Sequence, residues 1–444
     1  MGYNARLRVA ICGGGIGGLT TAVALSRYPD IDVDVYEGAE KFGEVGAGIG
    51  LFPRPWGIIK KLGLEQDLLK TTDMRPQEGP VTSFRYRISD RREGLDFYTL
   101  VTNGNLLVFH RADFQKVLLR RLPKSCKTHC SKRLRSYTQR RSGPIELLFE
   151  DGSTTTCDVL IGADGLKSAV RRSLLGEKAQ AAQSERRVAE VAAINAAVDP
   201  VWSGTNAYRA LIPAERLRAR APNHRVFTQP SQYLGKNGYI VAYPISHGKM
   251  INFVAFSSQH NLENTTFGGP WVSPTNKSEF ESIFNHWEPE VQALIDCVET
   301  PLRWAVHTVR PLGSFVSSRV ALLGDAAHAM TPHQGSGAGQ AIEDAYVLAT
   351  VLGHTTTTRE SLGRALKIYD KIRRPMALEV VERSRLNGQY FSLYTGSQDF
   401  SQLAGRVLAN ELQALGDTFT RNWEWAWTTS PEAMIREALR MLES

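Results

Sequence analysis

From Gly13 to Gly18 the chain reads Gly-Gly-Gly-Ile-Gly-Gly, and its flanks limit what that run can be. Arg8 to Cys12 ahead of it has the pattern of a buried strand, Leu19 to Arg27 behind it that of a helix, and Asp32 to Glu37 that of a second strand. This is a βαβ unit with Gly13, Gly15 and Gly18 at its first turn and Glu37 at the end of its second strand. Such glycines let the backbone approach a pyrophosphate at the positive end of a helix, and the acidic side chain accepts ribose hydroxyls. The spacing therefore predicts that Gly13, Gly15, Gly18 and Glu37 bind a dinucleotide, and it leaves FAD and NAD both open. The same glycines make Val9 to Leu25 a nucleotide turn rather than a membrane span.

At 444 residues, with 42% apolar and 22% charged residues, the chain suits two or three globular domains. Its net charge of +8 is dispersed, and the densest basic run, Lys132 to Arg141, sits between apolar segments as a solvated hairpin face would. Nucleic acid and membrane are accordingly not expected partners. Five cysteines without regular spacing describe no disulfide framework, so a reducing, cytoplasmic setting is expected. Cys126, His129 and Cys130 lack a fourth ligand at zinc-like spacing, and no metal is expected.

Farther along, Gly46 to Leu64 reads as a second Gly-rich turn running into a helix, and His110 to Leu122 as a helix with Arg111 at its entry. Ile145 to Phe149 and Thr154 to Cys157 read as a hairpin, and Asp158 to Gly162 as a buried strand. Between about 186 and 300 the texture becomes mostly β, with strands at Gly238 to Pro244 and Met250 to Phe256 and loop-rich stretches at 218 to 237 and 259 to 278. Arg319 to Leu323 is a strand again, a helix follows from Gly337, and the chain is helical from about 360. The expected fold is α/β: a Rossmann-like nucleotide domain in pieces (1–75, 105–185, 301–360), an inserted mostly β substrate domain (76–104, 186–300) and a C-terminal helical region (361–444).

Two segments separate FAD from NAD. Asp158-Val-Leu-Ile-Gly-Ala-Asp164-Gly165 and Gly324-Asp325-Ala-Ala-His328 each end a buried strand with an acidic residue on a turn. In order and spacing they resemble the "DG" and "GD" motifs of the class A flavoprotein aromatic hydroxylases, and the likeness covers nearly the whole chain. The resemblance implies that Asp325 holds the FAD ribityl chain, that Arg111 contacts FAD, and that Asp164 serves both FAD and the nicotinamide donor. For either aspartate the alternative is a helix N-cap.

Pro332-His333-Gln334-Gly335-Ser336-Gly337-Ala338-Gly339-Gln340 is the most telling run. A Pro-led, Gly-rich loop entering a helix presents N–H groups and the positive helix end, which suits the anionic N1 side of a reduced flavin. With His328 and the helix start at Gln340 it resembles the salicylate hydroxylase-like branch, which points to Gly337 and Ala338 beside the flavin and to Pro332 and His333 near the reacting edge. Gly50 falls in a segment that lies beside the flavin in this family; relatives often follow its Pro with Asn-Ala, where this chain has Arg54-Pro55.

By resemblance, the chain is a monooxygenase that uses NADH or NADPH, non-covalent FAD and O2 to hydroxylate a phenol or hydroxybenzoate through a flavin hydroperoxide, with decarboxylation where the attacked carbon bears the carboxyl. Arg209 and Tyr243 are the candidate substrate groups, with Tyr239 as the alternative to Tyr243 and His333 as a candidate for proton traffic. The competing readings are an epoxidase or a halogenase, whose Trp-x-Trp-x-Ile-Pro is approached only by Trp423-Glu-Trp-Ala-Trp427, or a non-catalytic FAD binder. A homodimer is compatible with the sequence.

Overall fold

A computed structural model describes residues 5–43, 48–396 and 399–444. Gly46 and Ala47, at the start of the second Gly-rich turn, lie outside the described residues. Leu7–Cys12 is buried along almost its whole length, as a central strand must be. It pairs in parallel with Ile31–Tyr36 on one side and Val159–Gly162 on the other, Val9 standing opposite both Val33 and Val159. Val320–Leu322, Val316–Ser317 and Lys127–His129 complete a six-stranded sheet. Helix Ile16–Leu25 covers it and packs against helix Gly337–Gly353, with Gly17 closely opposed to Leu323 and Ala341.

The helix begins at Ile16, so the turn expected over Gly13 to Gly18 spans Gly13 to Gly15. Gly13 turns the chain at φ +108°, and a Cβ there would lie 2.1 Å from the Ala163 carbonyl oxygen. Gly48–Leu51, expected as part of a turn, is a strand paired with Leu107–His110, and the helix follows at Pro53–Lys61 with proline in its first turn.

The second layer is an eight-stranded, largely antiparallel sheet. Its strands run in the order Val272–Pro274, Leu302–Thr308, Val201–Pro213, Met250–Ser258, Gly238–Ile245, Ser231–Gly235, Pro80–Ile88 and Leu95–Asn103. Ser231–Gly235 falls in a stretch read as loop-rich; it is buried at all five positions, so it lacks the alternation that marks a half-exposed strand. Helices Lys277–Phe284 and Pro289–Asp296 pack on this sheet through Phe280, Phe284, Val291 and Leu294. The C-terminal part is helical: Leu362–Phe391, Gly405–Trp423 and Glu432–Glu443. Trp423 and Trp427 are buried against Phe52 at ring separations of 5.4 and 5.5 Å, so this tryptophan run is packing. Among the described residues no helix is long and apolar enough to cross a membrane, and no cluster of potential metal ligands forms. His129 instead bonds Asp34 at 2.8 Å and stacks on Tyr36.

Candidate active site

A cavity of about 1740 Å³ runs from the first glycine turn to the face of the eight-stranded sheet. Gly13, Gly15, Glu37, Gly50, Arg111, Asp164, Asp325, Pro332, His333, Gly337, Ala338, Arg209 and Tyr243 all line it. Gly18 is the exception among the expected contacts. It sits in the first turn of its helix, where a Cβ would lie 2.0 Å from the Gly13 carbonyl oxygen. Its lack of a side chain lets helix and strand approach; it does not face the cavity.

At one end, helix Ile16–Leu25 opens with no side-chain cap, leaving the N–H groups of its first turn to the cavity. Glu37 is fixed there by two backbone donors, Gly14 N–H at 2.7 Å and Ala39 N–H at 2.8 Å. Asp164 proves to be a cap as well as a lining residue. It accepts from Ala169 N–H at 2.7 Å, Val170 N–H at 3.1 Å and the Ser168 hydroxyl, at the start of helix Ala169–Ser184. Burial raises its pKa, and those three bonds oppose the shift.

Farther in, Gly324 at φ +57° turns the chain so that Asp325 opens a short helix on the cavity wall. Arg111 lies across from it: burial lowers the Arg111 pKa and the charge of Asp325 opposes that change. The run after Thr331 is a turn of 3-10 helix, Pro332–Gln334, followed by Gly335 at φ +60° and then helix Gly337–Gly353. This second helix N-terminus also has no side-chain cap. A Cβ at Gly335 or Gly337 would meet nothing within 4 Å, so the loop presents bare backbone.

The cavity thus has two uncapped helix N-termini on its walls, a fixed carboxylate beyond the first, and Arg111 and Asp325 on the wall as well. Each N-terminus offers N–H donors and partial positive charge. One suits a pyrophosphate and the other the anionic edge of a reduced flavin, so the residues present fit FAD.

The far wall is one face of the eight-stranded sheet. Side chains two apart on a strand share a face, and the register aligns three rows. Tyr239, Phe256 and Trp304 lie nearest the loop at Pro332; Gln232, Val241, Val254, Arg209 and Leu302 follow; Tyr243, Asn252 and Leu211 are outermost. Tyr239 is fully buried and its hydroxyl lies 2.6 Å from His333 Nδ1. Burial, reinforced by His260, lowers the His333 pKa to about 3, so the imidazole is neutral and, in the tautomer with its proton on Nε2, accepts from the tyrosine. Burial also drives the Tyr239 pKa well up. Sequence reasoning favoured Tyr243, but Tyr239 is the one that meets His333. Arg209 lies over Trp304 with its guanidinium carbon 5.6 Å from the ring centre, and it forms no ion pair among the described residues. Burial lowers its pKa. Tyr243 is raised by burial and lowered by Arg209, which places a cation beside its hydroxyl.

Arg54 is not in the cavity wall. The helix that begins at Pro53 turns its side chain the other way, onto Glu343, while Pro55 packs against Gly339 under the Gly-rich loop. A charged network continues from there. Arg373 donates to Glu343 Oε2 at 3.0 Å and Asp344 Oδ1 at 2.8 Å, and Asp344 Oδ2 takes Gly324 N–H at 3.0 Å and His328 Nε2 at 2.5 Å. Burial would raise Asp344, but His328 and Arg373 outweigh it and hold the carboxyl at about 2. Sequence reasoning missed this network; the signal available was the density of charged residues in an otherwise apolar helix stripe.

The chain matches the FAD binding domain family over residues 6–384. It is 36% identical to the FAD-dependent monooxygenase str9 of Strobilurus tenacellus, over all of this chain and 99% of that one. It is 34% identical to a salicylate hydroxylase of Pseudomonas putida, over 97% of this chain and 94% of that one. A solved salicylate hydroxylase substrate complex superposes with a TM-score of 0.81 at 31% identity, covering 98% of each chain. Sequence and fold agree: the chain belongs to the FAD-binding family of flavin-dependent monooxygenases that includes the salicylate hydroxylases.

Proposed function

We propose that the protein hydroxylates a phenolic aromatic acid, with NADH or NADPH as electron donor, and with loss of CO2 where the attacked carbon bears the carboxyl. The observation that carries this reading is the placement of Arg209 and the Tyr239–His333 pair on one sheet face, in the same cavity as the two helix N-termini. Relatives named salicylate hydroxylase, 6-methylsalicylate 1-monooxygenase and 3-amino-4-hydroxybenzoate 2-monooxygenase act on acids of this kind.

Gly13, Gly15, Glu37, Gly50, Arg111, Asp325, Gly337 and Ala338 hold FAD in this reading, and Asp164 fixes the wall beside it. Bound FAD would take the donor's electrons and activate O2, one atom of which is transferred to the ring. The protein's own part is orientation, activation of the phenol and exclusion of water. Arg209 pairs the substrate carboxylate, offsetting the cost of a cation held in a dry wall. Tyr239 donates its hydrogen bond to His333 Nδ1 and accepts one from the substrate phenol, which polarises that O–H bond and raises electron density on the ring carbon to be attacked. Tyr243 donates a hydrogen bond to the acid, and Pro332 shapes the edge where ring and flavin meet. The aromatic row of Tyr239, Phe256 and Trp304 keeps water from that edge. Residues 76–104 and 186–308 serve as the substrate-binding region, the boundary expected at 300 moving because strand Leu302–Thr308 belongs to the eight-stranded sheet, and the remaining segments up to 360 serve as the FAD-binding region.

The test is a panel of phenolic acids given to FAD-loaded protein with NADH and with NADPH. Stimulated donor oxidation with formation of a hydroxylated product is the expected result. If no acid stimulates donor oxidation, the assignment fails.

A further inference from the structure

Large apolar side chains exposed to solvent are few in this protein, and three of them, Leu211 at 58%, Leu302 at 37% and Met74 at 36% exposed, line the same cavity. Their positions follow from the sheet register. Leu302 stands directly opposite Arg209 on the neighbouring strand, and Leu211 is two residues beyond Arg209 on the same face. Leu211 pairs with Asn252, which pairs with Tyr243, so the outermost row of the wall ends on an exposed leucine. Pro244, Ile245 and the 246–248 turn continue this rim, and the turn is tied to the Met74 side by a contact between His247 Nε2 and Asp73 Oδ1, 2.6 Å apart.

The wall is therefore graded. Its inner row, at Tyr239, is buried and meets His333; its middle row carries the cation; its outermost row, past Tyr243 and Asn252, ends on open apolar surface at Leu211. The row of Tyr239 and the row of Leu211 lie four residues apart along the strands, about 13 Å at ~3.3 Å per residue, so a ring held at Tyr239 and Arg209 leaves Leu211 uncovered. Exposed apolar surface that continues out of a ligand cavity marks a surface meant to be covered. Because it runs on from the substrate wall without a break, its occupant is part of the substrate.

We propose that the substrate is a phenolic acid bearing an extended apolar substituent, an alkyl or alkenyl chain, that leaves the ring past Arg209 and lies on Leu211, Leu302 and Met74. This rests on the phenolic-acid reading above and specifies the substrate within it. The ring and its acid are held by the inner rows, and the rim contributes affinity in proportion to the methylenes it covers.

The test is titration of FAD-loaded, full-length protein with salicylates alkylated at each open ring carbon, with chains of up to about six carbons, followed by calorimetry. At least one positional series gains about two- to fourfold in affinity per added methylene, as burial of a CH2 group at the rim requires. Leu211→Asn, at a position exposed enough to leave folding intact, weakens long-chain acids more than short-chain ones and so flattens the series. Equal affinity for the unsubstituted acid and every alkylated one overturns the substituent and leaves the phenolic acid standing. Failure of every acid to bind overturns both.

Discussion

Arg54 and Glu343 form a two-pronged ion pair, Nε 2.9 Å from one carboxylate oxygen and Nη2 3.1 Å from the other, with both side chains nearly or fully buried. Glu343 lies two turns into the helix whose N-terminus forms the cavity loop, and Arg54 also donates to Thr429 Oγ1 and the Ser430 carbonyl. One guanidinium thus holds together the helix after Gly48–Leu51, the flavin-side helix and the C-terminal segment.

Removing it leaves Glu343 to Arg373 and Gln340. Arg54→Met should cost about 1.5–3 kcal/mol, the worth of hydrogen bonds to a buried charge, read as a lower urea midpoint. Arg54→Met combined with Glu343→Met should recover part of the loss. An unchanged midpoint for the single variant would remove the network from the stability argument.

Arg209→Gln should raise KM for a phenolic acid about 10- to 100-fold, the worth of a charge-assisted hydrogen bond of ~1.5–3 kcal/mol. FAD content, read from flavin absorbance per protein, should not change. Loss of flavin would reassign Arg209 to the cofactor.

Tyr239→Phe keeps the stacking on Phe256 and deletes the hydroxyl that reaches His333. The expected loss is about 100-fold in kcat, the low end of the range for a group that acts on a reacting proton, with smaller loss on substrates already ionised at the assay pH. A uniform loss across substrates of different acidity would argue against activation of the phenol by this pair.

His333 also gives stability a pH signature. Its folded pKa is held at about 3 against an ordinary 6.5, so below 6.5 the unfolded chain binds a proton that the folded chain does not. Its contribution is complete above pH 6.5 and declines by up to ~1.4 kcal/mol per unit as pH falls from 6.5 toward 3. Urea unfolding at pH 7 and pH 5 should show a steeper decline for the parent protein than for His333→Asn. Equal slopes would mean the imidazole is protonated in place.

Asp164→Ala should lower the stability of the FAD-free protein by about 1–2 kcal/mol, as loss of a helix cap does, because its carboxylate already serves Ala169, Val170 and Ser168. A purely cofactor-directed aspartate would leave the FAD-free protein unchanged.

What could be read from the chain alone depended on how local its cause was. Gly13, Glu37, Asp325 and the Pro332–Ala338 loop were legible as cavity-wall positions because each rests on backbone geometry set within a few residues of sequence. Gly18 was assigned to the cofactor, since sequence gives a glycine's place but not which neighbour crowds it; here that neighbour is Gly13. Tyr239 and Tyr243 share a strand face, so strand periodicity could not show that Tyr239 is the one hydrogen-bonded to His333, 94 residues away in the chain. Arg54 read as a disturbed pocket residue because its partner lies 289 residues downstream.

The cavity takes its walls from Gly13 to Glu37, Arg111, Asp164, the sheet face at Arg209 and the turn from Gly324 to Ala338, segments that meet only when nearly the whole chain has folded. A molecule lying along all of them acts as a clasp: it binds the assembled protein and has no comparable site on any fragment, so its binding energy adds directly to the unfolding free energy. Cellular supply of FAD would then govern how much of this protein survives proteolysis as well as how much of it is active.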